Sequence, residues 1–267
     1  MLGAIIGDIA GSRFEFNNIK TKEFDLLSRS CWFTDDSVMT IAVAHAILQC
    51  NGDWTNLSQQ TVKSMQLIGR HYPHCGYGGR FKTWMFSDNP QPYNSLGNGA
   101  AMRVSAAGWA ASSLEECKTL ARKVTEVTHN HPKGLKAAEA VAVAIYMART
   151  GADKQTIIDC INRDYYRLDF TIDQIRPTYT FDVTCQGSVP QALEVFAEGN
   201  DYEDVIRTAV SLGGDCDTIA AIAGSVAEAY YGVPQTLREK ALDYFLDPGP
   251  ARIVREFEQK YGMKLAK

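Results

Sequence analysis

The sequence has no C-x-x-C pair, although it holds seven cysteines (Cys31, Cys50, Cys75, Cys117, Cys160, Cys185 and Cys216). Without that spacing, a zinc cage is not expected. Residues 1–12 are apolar but contain Asp8 and three glycines, which is not the layout of a secretion signal. An odd number of scattered cysteines behind such a start points to reduced thiols and a cytoplasmic protein. Long apolar runs are also missing. The longest, Ala137–Ala148 and Ile219–Tyr231, are short and interrupted by Glu139 and Glu228, so neither should span a bilayer. No basic run is present, and 27 Lys and Arg stand against 31 Asp and Glu, for a net charge of −4. Bulk nucleic acid is therefore not a favoured partner, while a nucleotide-sized ligand is compatible with this balance. There is no Gly/Ser linker or low-complexity tract, so residues 1–267 read as one domain. Strand signals are scarce. Only Thr178–Thr184 alternates with β-forming residues, and no strand–helix alternation supports a parallel sheet.

What remains is helical periodicity. The 267 residues are 45% hydrophobic and 22% charged, enough for a sizeable core. The pattern predicts helices over Ser37–Cys50, with Asp36 as cap, and over Thr55–His71 and Gly99–Ala111. Ser113-Leu114-Glu115-Glu116 has the S-x-x-E pattern and should open a helix reaching about Val127. Pro132 should sit in the first turn of the next, which runs to about Thr150 and stops at Gly151. Further helices are expected over Asp153–Asn162, Val189–Glu198, Tyr202–Leu212, Asp217–Tyr231, Gln235–Leu246 and Ala251–Tyr261. The fold class is therefore all-α. Two regions read as irregular, Gly11–Cys31 and Tyr72–Gly99. Loops of that length in a compact domain are usually functional or disordered, and the aromatics of the second argue for order.

Two acidic clusters open buried-looking helices at opposite ends of the chain. They are Thr34-Asp35-Asp36-Ser37 and Gly213-Gly214-Asp215-Cys216-Asp217-Thr218. Aspartates cap helices well, but one per helix suffices. The second aspartate, the neighbouring hydroxyls and the apolar helices behind favour metal binding over capping. Hard divalent ions such as Mg²⁺ or Mn²⁺ prefer carboxylate, hydroxyl and water oxygens. Four carboxylates converging from two helix starts suggest more than one ion.

Asn94-Ser95-Leu96-Gly97-Asn98-Gly99 precedes a helix, and its glycines would let backbone N–H groups approach an anion such as a phosphate. An ordinary polar turn explains the segment equally well. His129 and His131 are two residues apart and cannot share a helix face, so local capping is the simpler reading of both. Trp32, Trp84 and Trp109 read as core.

Taken in order, these segments resemble the ADP-ribosylglycohydrolase family, which includes the dinitrogenase-reductase-activating glycohydrolases and the ADP-ribosyl-acceptor hydrolases. The resemblance rests on Gly7-Asp8-Ile9-Ala10-Gly11-Ser12-Arg13-Phe14-Glu15, Phe33-Thr34-Asp35-Asp36-Ser37-Val38-Met39, Gly97-Asn98-Gly99-Ala100-Ala101-Met102-Arg103, Thr128-His129, Gly213–Gly224 and Ala229-Tyr230-Tyr231-Gly232. It spans Leu2 to about Gly232. Each piece is weak alone; the ordered set is specific.

The resemblance implies a compact orthogonal helical bundle and hydrolysis at C1″ of ADP-ribose with two Mg²⁺ or Mn²⁺ ions. It implies metal ligation by Thr34, Asp35, Asp36, Asp215, Asp217 and Thr218. Glu15, on a mobile loop, would act as ligand or general acid/base, with Asp36 the second candidate for proton transfer. Ser95, Leu96, Gly97, Asn98 and Gly99 would hold the diphosphate and distal ribose, and His129 would touch the ADP-ribose. The implied partner is an ADP-ribosylated protein or a small ADP-ribose conjugate. The leaving group stays open among arginine, serine, O-acetyl, nucleobase and other choices. Nothing calls for more than a monomer.

Departures from the family pattern are local. Ser37 replaces a second Thr. Leu96 stands where an aromatic is common, which shifts adenine stacking toward Tyr77 or Tyr93 or weakens it. Cys216 replaces a Thr between the aspartates and should face away from the metals. Two rival readings are a non-catalytic ADP-ribose binder and a dinuclear phosphohydrolase that cuts the diphosphate.

Overall fold

In the computed structural model, which describes residues 1–262, the chain folds into helices joined by loops. Among the described residues the only β-type pairing is one isolated antiparallel bridge, Gly97 to Thr184. The alternating segment Thr178–Thr184 is thus not a strand of a sheet. It lies beside the short glycine loop, where Val183 O accepts from Asn98 N at 2.8 Å and Leu96 O accepts from Cys185 N at 2.9 Å.

The helices are α1 (Leu2–Gly11), α2 (Asp35–Cys50), α3 (Leu57–His71), α4 (Gly79–Phe86), α5 (Gly99–Met102), α6 (Ser105–Ala110), α7 (Leu114–Thr125) and α8 (Pro132–Arg149). There follow α9 (Lys154–Asp164), α10 (Ile172–Ile175), α11 (Cys185–Glu198), α12 (Tyr202–Leu212), α13 (Cys216–Tyr231), α14 (Gln235–Lys240) and α15 (Pro248–Tyr261). Between α14 and α15, Ala241–Phe245 widens into a π turn. The apolar start of the chain is itself the helix α1. The second irregular region contains α4, whose Phe81, Trp84 and Met85 turn into the core.

The local signals explain most boundaries. Ser113 Oγ accepts from Glu116 N at 3.1 Å, the expected cap of α7. The reciprocal half of that box is not made: the Glu116 carboxylate accepts from Ser112 N at 2.5 Å and Trp54 Nε1 at 2.7 Å. His131 caps α8, accepting from Lys133 N ahead of Pro132 in the first turn. The expected helix Gly99–Ala111 breaks into α5 and α6 around Arg103, whose side chain is drawn inward. Trp84 and Trp109 are core, as their apolarity suggests, but Trp32 is 52% exposed.

Two helices run through the centre. Every residue of α1 is buried, and so is every residue of α13 from Cys216 to Ala229. A helix apolar on all sides belongs inside, and each fully buried Leu or Ile adds about 1.5–3 kcal/mol. α1 packs along α13 at a distance only glycine permits. A Cβ on Gly3 would lie 2.3 Å from Gly224 O, one on Gly7 2.1 Å from Ala220 O, and one on Gly11 2.4 Å from Asp217 Cα. α2, α8, α11 and α12 surround this pair. The closeness of α1 and α13 brings Asp8, Asp36 and Asp217 to one place.

Candidate active site

At the start of α2, the cap is Thr34 rather than Asp36. Thr34 Oγ1 accepts from Asp36 N at 3.3 Å, and the helix begins at Asp35. At the start of α13, the Asp215 side chain makes no capping hydrogen bond. Neither Asp36 nor Asp215 is used as a cap, although Asp217 Oδ1 accepts from Thr218 N at 2.9 Å.

Asp8, which the sequence reading left without a role, anchors the first cluster. It is fully buried. Its Oδ1 accepts from the Thr34 hydroxyl at 2.7 Å. Its Oδ2 accepts from Thr34 N at 2.8 Å, from Ser37 N at 3.1 Å and from the Ser37 hydroxyl. This explains the hydroxyls at both positions. A sequence signal existed: Asp8 is the one charge in an otherwise apolar helix, and burying a charge demands compensation.

The carboxylates meet in two overlapping groups. Ligand atoms of Asp8, Asp36 and Asp217 lie within 4.8 Å of one another, as do those of Glu15, Asp215 and Asp217. Asp217 belongs to both. Thr218 Oγ1 donates to Asp36 Oδ2 at 3.1 Å and ties the two helix starts together. Asp36 Oδ1 is buried and has no hydrogen-bond partner.

Burial raises every acid in the site, and neighbouring carboxylates push Asp35, Asp36, Asp217 and Glu15 up further. Asp36 and Asp217 are driven well above the usual carboxylate range by desolvation and then by neighbouring carboxylates. Asp35 is pushed up to about 8 by burial and then by Asp8. Glu15, half-buried, is pushed up to about 7 by burial, then by Asp215 and Asp8. Asp8 rises only to about 6, because the donors on Ser37 and Thr34 offset its burial. Such a cluster is neutralised either by protons or by a bound cation.

These acids form one wall of a cavity of about 540 Å³. Of the residues expected at the site, Glu15, Asp35, Asp36, Asp215, Asp217, Thr218, Ser95, Gly97, Asn98, Gly99 and His129 line it. Thr34 and Leu96 do not, and the Thr34 hydroxyl is taken up by Asp8 and the helix cap. Asp35 reaches the cavity but falls outside both acidic groups. Of the aromatics expected near adenine, Tyr93 lines the cavity, while Tyr77 is buried beside Phe81. Phe16 and Phe181 were not anticipated; their rings stack at 5.9 Å at the cavity edge. Cys216 Sγ points toward Gly11 O at 3.7 Å, toward α1.

The glycine loop and the acidic wall are joined directly. Asn98 Nδ2 donates to Asp215 Oδ2 at 2.5 Å and to Ser188 Oγ at 3.0 Å. Asn18, in the loop after Glu15, makes a similar brace. Its Nδ2 donates to Glu15 O at 2.9 Å and to Gly214 O at 3.0 Å, and its Oδ1 accepts from Gly214 N at 2.7 Å. Neither contact could be read from the sequence, because both partners are remote along the chain.

Comparison with known proteins shows the family. A family model described as ADP-ribosylglycohydrolase matches residues 1–262. The human ADP-ribosylhydrolase ARH3 is 25% identical, with 88% of this chain and 85% of that one aligned. The ADP-ribosylarginine hydrolase Tri1 of Pseudomonas putida (strain GB-1) is 26% identical over 87% of this chain and 70% of its own. A solved structure titled "ADP-ribosylglycohydrolase-related protein complex" superposes with a TM-score of 0.71 at 22% identity, covering 98% of this chain and 96% of that one. That last likeness concerns the fold.

Proposed function

The chain belongs to the ADP-ribosylglycohydrolase family, and from that premise we propose that it hydrolyses the C1″ glycosidic bond of an ADP-ribosylated substrate and releases ADP-ribose. The observation that carries this reading is the unpartnered, buried Asp36 Oδ1 in the first of two acidic groups that share Asp217. Hard oxygen donors in that arrangement fit a pair of Mg²⁺ or Mn²⁺ ions. Asp36, Asp215 and Asp217 would hold them, with Glu15 beside the last two, Thr218 and Asp35 at the margin and Thr34 supporting through Asp8. Bound there, the ions would supply Lewis-acid polarisation of the ribose hydroxyls and of a water.

The chain's own groups do the rest. The glycine loop from Ser95 to Gly99, with His129, would hold the diphosphate. Glu15 would accept the proton of the attacking water. Burial and two neighbouring carboxylates keep its proton affinity high, and a cation beside it would draw its pKa down toward a working base. Asp36 is the second candidate for that transfer. Carboxylates around C1″ would stabilise an oxocarbenium-like transition state. The substrate would be an ADP-ribosylated protein or a small ADP-ribose conjugate. No helix among the described residues is long and apolar enough to cross a membrane.

The test is a panel of ADP-ribosylated peptides, O-acetyl-ADP-ribose and ADP-ribosylated nucleic-acid ends, scored by product with Mg²⁺, with Mn²⁺ and with EDTA. ADP-ribose should form with metal and not with EDTA, and Asp36→Asn and Asp217→Asn should each abolish it. AMP as product would make the protein a phosphohydrolase. Tight ADP-ribose binding without turnover on any substrate would make it a binder.

A further inference from the structure

Arg103 is a buried cation in contact with no anion, the nearest favourable charges being those of Asp35 and Asp36. It is 1% exposed, yet among the described residues no carboxylate pairs with it. Its Nε has no partner, and its guanidinium lies 5.5 Å from the centre of the Phe81 ring. Such burial is costly, and the charge ordinarily finds a counter-ion. The side chain lines the cavity beside the glycine loop.

Its contacts also fix a neighbour. Arg103 Nη2 donates to Thr128 Oγ1 at 2.5 Å and lies 3.1 Å from His129 Nδ1. A hydroxyl that accepts from Arg103 keeps its own hydrogen to donate, and His129 Nδ1 lies 2.7 Å from it. A guanidinium only donates, so both neighbours of Nδ1 are donors and Nδ1 must accept. The ring hydrogen then sits on Nε2. That atom faces the loop: a Cβ on Gly99 would lie 3.3 Å from it, and one on Gly97 3.7 Å. Burial, then Arg103 and Arg80, hold the ring neutral.

We propose that Arg103 is a positioning residue for anion binding. Through Thr128 it holds His129 as the Nε2–H tautomer aimed at the glycine loop, and its own unmatched charge is completed by the diphosphate of the bound substrate. The second half rests on the functional reading above; the first does not.

The test begins with wild-type protein, using ¹⁵N NMR of the histidine rings, with His129 identified by its loss in His129→Gln. An Nε2–H signal with an unprotonated Nδ1 is expected; a proton on Nδ1 overturns the assignment. Thr128→Val should give a mixture of tautomers. Arg103→Met should weaken ADP-ribose binding about ten- to a hundredfold, the range for a lost charge-assisted contact. Arg103→Lys, which keeps the charge but not the fork, should recover part of that loss. Wild-type affinity in a folded Arg103→Met overturns the proposal. If Arg103→Met fails to fold, the wild-type tautomer and the Arg103→Lys affinity still decide. If the wild type binds no ADP-ribose but shows the Nε2–H tautomer, the functional reading fails and the hold on His129 stands.

Discussion

A Cβ placed on Gly11 would sit 2.4 Å from the Cα of Asp217, inside any possible contact distance. The absence of a side chain at Gly11 therefore determines how close the second acidic cluster comes to α1. Gly11→Ala would push the start of α13 outward. We expect a loss of stability of about 1–3 kcal/mol from overpacking. Activity should fall by about a hundredfold, since small displacements of catalytic groups are costly. Urea unfolding and initial rates measured on one preparation check both.

Asp8 holds the first cluster by accepting four hydrogen bonds from Thr34 and Ser37. Asp8→Ala leaves those donors buried and unpaired, at a cost of about 3 kcal/mol or more. Asp8→Asn keeps the shape but turns an amide toward donors, so it should also destabilise, though less. In both variants the thermal shift produced by Mn²⁺ should shrink. A full metal-induced shift in Asp8→Ala would mean that the α2 start needs no support from α1.

The raised acids link pH to stability in the metal-free protein. Asp36 and Asp217 lie well above their ordinary range when folded, Asp35 at about 8 and Glu15 at about 7. Their unfolded values lie near 4, so between these limits the folded chain binds more protons than the unfolded one. Stability then falls as pH rises. In EDTA, melting temperature should be higher at pH 5 than at pH 8. Added Mg²⁺ or Mn²⁺ should raise it more at pH 8, where the carboxylates are charged. A melting temperature in EDTA that climbs from pH 5 to pH 8 would contradict the desolvation described above.

Asn18 spans the Glu15 turn and Gly214, which lies next to Asp215. Asn18→Ala should loosen Glu15 relative to Asp215 while leaving the glycine loop intact. The expected result is a fall in kcat of about tenfold or more with little change in KM, as for an interaction felt mainly in the transition state. Equal losses in KM would instead tie Asn18 to substrate binding.

The contrast between Asp36 and Asp8 shows where sequence reading stops. The Thr34–Ser37 cluster is visible because four polar residues interrupt an apolar pattern next to a helix. Asp8 carries the same physical oddity, a charge inside a buried helix, but its partners lie 26 and 29 positions away. Thr34 shows the reverse. Its place in the cluster is legible, but whether its hydroxyl faces the cavity or Asp8 depends on how α1 meets α2. The strand-like Thr178–Thr184 alternates correctly, yet a strand needs a partner of equal length, and the loop beside it offers a single bridge.

Local pattern in the sequence alone determined the all-α class, most helix ends and the two acidic clusters, because caps, periodicity and unpaired charge act over a few residues. The tertiary structure alone decided that Asp217 is shared by two acidic groups, that Asp36 Oδ1 is left without a partner, and that Arg103 holds His129 rather than a carboxylate. Each depends on contacts between remote segments, and the glycine-lined approach of α1 to α13 sets the place of Asp217.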